Sequence, residues 1–148
     1  MLAPSDTPAG VSTAARININ TNTKHSDYAA LIGRIAIAAI FLLSGFSKLT
    51  APGATIGYIA SAGLPLPQVA LALAILVELG GGMLLVFGYR VRIVAAALAI
   101  FSVVAALGFH SDLADQNQFI HFFKNLAMAG GLLQIVAFGG GRLSIDRR

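Results

Sequence analysis

The sequence predicts an all-α integral membrane protein: a four-helix bundle with a short interfacial helix between the first and second spans. Three observations lead there. The 148 residues are 57% hydrophobic, with a mean hydropathy of +0.81. Charged residues are only 11%, against about 25% in an ordinary soluble domain. The apolar residues gather into four segments, each near the length of about 20 residues that crosses a bilayer. A soluble fold of this size could not hide so much apolar surface behind so few charges.

Residues 1–27 are polar and lack hydrophobic periodicity, which predicts a disordered tail. The first span follows at about 28–49. It is longer than the core of a cleaved signal, about 7–15 residues, so no signal peptide is expected. Proline and glycine punctuate the stretch from Thr50 to Pro67. Within it Ile56, Ile59 and Ala60 repeat at helical spacing beside Tyr58, which predicts a short helix at the interface. The second span is about 68–87, the third about 93–109 and the fourth about 119–138. All four must be helices, because an open strand cannot satisfy its backbone in lipid. Spans joined by short connections should be antiparallel neighbours. Residues 28–138 therefore form the transmembrane domain, and 139–148 a second tail.

Orientation follows from the bases. With four spans, both tails and the Gly88–Arg92 turn share one side. That side holds Arg16, Lys24, Arg90, Arg92, Arg142, Arg147 and Arg148. The opposite loop carries Asp112 and Asp115. The positive-inside rule then puts both termini in the cytoplasm. The net charge of +4 is read as this topological excess, not as a nucleic-acid surface.

Glu78 falls near the middle of the second span, followed by Gly80, Gly81 and Gly82. A carboxylate at that depth costs about 2.5–3.5 kcal/mol if it faces lipid. Glu78 should therefore face the protein interior, and the glycines should let another helix come close. Arg34 and Lys124 each lie about 7 Å from the centre of their spans, on the cytoplasmic and external sides respectively. Either could pair with Glu78. Lys48, near the external surface, should snorkel to its interface. His121 lies three residues before Lys124 and shares its helix face. The candidate site is thus Glu78, Lys124, Asn125, Arg34, His121 and Lys48, with no catalytic role assigned to any of them. It reads either as a structural ion pair or as a polar pocket for a small molecule. In the second case Lys124, Asn125 and Arg34 would donate hydrogen bonds to the ligand.

His110, His121, Asp112 and Asp115 match no metal-ligand spacing, so no metal is expected. There is no cysteine, which removes disulfides and thiol chemistry. Gly80–Gly82 is no nucleotide loop, since it lies mid-membrane after no strand. Phe119, Phe122 and Phe123 read as an interface anchor, and Ala95, Ala96, Ala97 and Ala99 as a close-packing face.

Several stretches together resemble the DoxX family. These are Gly33-Arg34 opening the first span and Phe46-Ser-Lys48-Leu49 closing it, Gly63-Leu-Pro-Leu-Pro67, and Glu78-Leu-Gly-Gly. Further on come Gly88-Tyr-Arg-Val-Arg92, His121 with Lys124-Asn125-Leu126, Gly130-Gly131 and Gly141-Arg-Leu-Ser-Ile-Asp146. The resemblance covers about residues 29–146. It implies a four-helix protein of the bacterial inner membrane. Family members have been linked to a thiosulfate:quinone oxidoreductase, to quinone and catechol tolerance, and to oxidative-stress assemblies with soluble redox enzymes. The resemblance carries over Arg34, Lys48, Glu78, Lys124 and Asn125 as polar positions without chemical roles.

The expected function is a redox- or stress-associated membrane subunit with a pocket for a quinone-like molecule. As an enzyme it would be at most a subunit of a quinone-linked oxidoreductase, with quinone the only cofactor suggested. The alternatives are a non-catalytic scaffold that docks a soluble partner and, third, a small transporter. The transporter lacks an inverted repeat and a pair of broken helices. A homo-oligomer would give it more room for alternating access.

Overall fold

The computed structural model describes residues 13–146. Among them every regular element is helical: α1 (Thr13–Thr50), α2 (Pro52–Ser61), α3 (Pro67–Ile75), a π-helical turn (Leu76–Gly80), α4 (Gly81–Phe87), α5 (Val91–Phe109) and α6 (Gln116–Phe138). Four stretches are long and apolar enough to cross a membrane: His25–Thr50, Pro67–Phe87, Val91–Phe109 and Gln116–Phe138. The fold class and the number of spans agree with the sequence. One boundary is corrected. Helix α1 begins at Thr13, so helix runs through residues 13–27, where a disordered tail was expected. Residues 1–12 of that tail lie outside the described residues.

Local chemistry places the ends. Pro52 and Pro67 open α2 and α3 as first helical residues, where a missing N–H costs nothing. Gly88 closes α4 with φ +70°, and the N–H groups of Gly88 and Tyr89 both return to the Leu84 carbonyl. Asp115 caps α6 by accepting from the Gln118 N–H at 2.8 Å.

The spans form a ring. Helix α1 packs along α4 and the π turn, these pack on α5, α5 lies along α6, and α6 closes back on α1. The core sits where the four meet: Ala38 and Phe41 from α1, Leu85 from α4, Ala95, Leu98 and Ala99 from α5, and Met128 and Leu132 from α6. Ala95 and Ala99 are buried as expected, while Ala97 faces outward. Of the three glycines after Glu78, two act as helix contacts. A side chain at Gly81 would strike Leu98, and one at Gly82 would strike Leu42.

The last residues are not a loose tail as far as Asp146. The Ile145 and Asp146 N–H groups donate to the carbonyls of Phe87 and Gly88. The Asp146 carboxylate accepts from the N–H groups of Arg90 (3.0 Å) and Val91 (2.7 Å), capping α5 from a distant part of the chain.

Candidate functional site

Glu78 lies inside the π turn and is 4% exposed. A π turn inserts a residue into the helix and shifts the side chains after it, and such turns are common at functional sites. Glu78 sits against α1 because Gly45 has no side chain there. A Cβ at Gly45 would lie 2.8 Å from Leu79 Cγ and 3.1 Å from Glu78 Cβ.

The partner of Glu78 corrects the sequence reading. It is neither Lys124 nor Arg34 but Lys48, whose Nζ donates to Glu78 Oε1 at 3.0 Å. Ser44 joins them. Its hydroxyl accepts from Lys48 at 2.7 Å and donates to the same Oε1 at 3.1 Å. Ser44 and Lys48 are four residues apart on α1 and so share a face. Lys48 therefore turns inward instead of snorkelling. Its long stem reaches either the interface or a carboxylate, and the buried carboxylate offers the stronger, charge-assisted bond. Both donors end on Oε1. Glu78 Oε2 is buried and has no hydrogen-bond partner.

Arg34 belongs elsewhere. It lies ten residues before Ser44, about 15 Å along α1, and is 1% exposed. Its guanidinium donates to the carbonyls of Gly140, Leu143 (2.8 Å) and Val86 (3.4 Å). It thus holds the C-terminal segment against α4, and it does not line the cavity described next.

The other five candidates do. A cavity of about 840 Å³ lies at the end of the bundle that carries α2 and the α5–α6 loop. Ser44, Lys48 and Glu78 line one side of it, and His121, Lys124 and Asn125 the other. Most of the remaining wall is apolar, including Phe41, Val77, Phe101 and Met128. Ile40, Leu73 and Val104 line its edge while staying exposed on the outer helix surfaces, so the cavity borders the lipid-facing side. Helix α2 roofs it through Ala54, Thr55, Tyr58 and Ile59. The Tyr58 ring stacks on Phe109 at 5.5 Å, and its hydroxyl donates to the Phe109 carbonyl at 3.2 Å.

On α6, Lys124 Nζ lies 2.8 Å from His121 Nδ1. The His121 ring stacks on that of His110 at 5.0 Å, and His110 Nδ1 meets Gln118 Oε1 at 3.2 Å. No carboxylate pairs with Lys124 among the described residues. Asp112 and Asp115 are committed to local N–H groups, of Ala114 and Gln118. Among the described residues no three metal-ligating side chains gather. Sequence reasoning missed Ser44, Tyr58 and the π turn. Only the Ser44–Lys48 spacing carried a signal that could have been read.

Comparison with known proteins supports the same architecture. The chain is 36% identical to the inner membrane protein YqjF of Escherichia coli (strain K12) over 124 residues, 84% of this chain and 94% of that protein. It is 35% identical to the inner membrane protein YphA of the same organism, also over 124 residues, 80% of this chain and 88% of the relative. No solved structure matches it. With four apolar spans, these relatives make it a multi-pass protein of the inner membrane. The DoxX domain matches residues 29–111, which include Ser44, Lys48 and Glu78. The chain therefore belongs to the DoxX family.

Proposed function

We propose that this protein binds a quinone-like small molecule, drawn from the bilayer, in the cavity beside Glu78, as a subunit of a redox- or stress-associated assembly. One observation carries the reading: the buried Glu78, bonded to the half-buried Lys48 and Ser44, lines a mostly apolar cavity whose edge lies beside the exposed apolar faces of the spans. Apolar pockets with a few convergent polar groups are the usual form of a small-molecule site. Lys124 and Asn125 face the ligand from α6, with His121 behind Lys124. Thiol chemistry is absent, so any electrons pass through the ligand and an external redox partner. Both termini face the cytoplasm on this reading, by the distribution of bases.

The test is mass spectrometry of small molecules extracted from gently purified protein, wild type beside Glu78→Gln. A quinone or related compound enriched in the wild type and lost in the variant is the expected result. No enrichment in either, with both folded, overturns it.

A second reading is a scaffold for a soluble partner. It is favoured by the exposed Arg90 and Arg92, whose turn is fixed to the C-terminal segment through Asp146. A co-purifying protein lost on changing both arginines, together with an empty cavity, would support it.

A further inference from the structure

We infer that the cavity selects ligands by a hydrogen-bond donor: it takes a hydroxyl-bearing lipophile in preference to one that presents only acceptors. The inference rests on the small-molecule reading above and specifies its ligand class. It follows from where the hydrogen bonds at the site end. Lys48 and Ser44 both donate to Glu78 Oε1, and Oε2 has no donor although it is buried. A buried acceptor without a partner is costly, more so when it belongs to an ionised group. No donor from the chain reaches it. The hydrogen bonds that Lys124, Asn125 and Tyr58 make end on His121 and Phe109, and none of them ends on Glu78.

A ligand that carries a donor would supply the bond that Oε2 lacks. Most of the cavity wall beyond the Lys48–Ser44–Glu78 group is apolar, so the ligand brings an apolar body and places one O–H at the carboxylate. Glu78 lines the cavity and its terminal torsion is broad, so a partial turn of the carboxylate brings Oε2 towards the cavity while the Lys48 and Ser44 bonds to Oε1 lengthen. An ether or carbonyl in the same place would set lone pair against lone pair. For a quinone-like ligand the reduced, hydroxyl-bearing form is the favoured one.

The experiment compares para-heptylphenol with para-heptylanisole, its methyl ether. Binding to wild-type protein in detergent is measured by calorimetry, with protein-free micelles as the blank. Ala105→Trp, which fills the cavity from α5, serves as the blocked control. The phenol should bind at least about tenfold tighter than the ether, as expected for a hydrogen bond to a charged acceptor. That preference should shrink in Glu78→Gln, and both probes should be lost in Ala105→Trp. Equal binding of the two probes, abolished by Ala105→Trp, keeps the cavity as a ligand site and overturns the donor rule. Tighter binding of the ether overturns it too. Failure of both probes to bind overturns the donor rule and the small-molecule reading together. The phenol-to-ether ratio is read on the wild type, so it stands even if a variant does not fold.

Discussion

Arg34 and Glu78 are both buried ions in a membrane bundle, and each leaves one atom without a partner, Arg34 Nε and Glu78 Oε2. Their surroundings differ. Arg34 spends its two terminal nitrogens on three carbonyls, and the C-terminal segment closes over it. Glu78 spends one oxygen on α1 and borders a cavity of about 840 Å³. An unsatisfied atom does not by itself separate structure from function. The space beside it differs: Glu78 lines the cavity and Arg34 does not.

Substitutions should break that contrast in order of size. Arg34→Ala removes the donors of three carbonyls at once and should cost about 3–5 kcal/mol. Thermal unfolding in detergent would show it, and any folded fraction should keep the wild-type affinity for the phenol probe. Lys48→Met strands a buried carboxylate and should cost about 2 kcal/mol, less than a fully buried pair because Lys48 is partly exposed. Adding Glu78→Leu should restore most of that stability while abolishing ligand binding. A double variant no more stable than Lys48→Met alone would show that the pair is needed for folding. Asp146→Ala removes the cap of α5 and should cost about 1 kcal/mol, with binding untouched. The smallest effect is expected for Tyr58→Phe, which loses one exposed hydrogen bond. Stability should stay within about 0.5 kcal/mol, and the change should appear as faster ligand release in stopped-flow experiments.

The four spans were legible because lipid leaves the backbone few options: about 20 apolar residues per span determine most of the architecture. The depth and inward direction of Glu78 were legible for the same reason. Its partner was not. Depth along a span says little about azimuth, and one residue turns a helix by about 100°. Choosing among Lys48, Lys124 and Arg34 needed the close approach at Gly45 and the inward swing of Lys48. The role of Arg34 was hidden further, because its acceptors are backbone carbonyls more than fifty residues away and leave no trace in residue type. The Asp146 cap was hidden likewise, since a cap is sought beside its helix and this one arrives from the far end of the chain.

The π turn makes the second span two half-helices that are out of phase. An α-helix advances about 100° per residue, so the extra residue at Leu76–Gly80 rotates everything beyond it by about that angle relative to an unbroken helix. The first half presents Ala70 and Ala74 to the cavity, while the second presents Gly81 to α5 and Gly82 to α1. Deleting one residue from the turn would bring the halves into a common phase, and only one of those faces could then be kept. The position of the carboxylate in this membrane is thus set by a mismatch in winding as much as by its place in the chain.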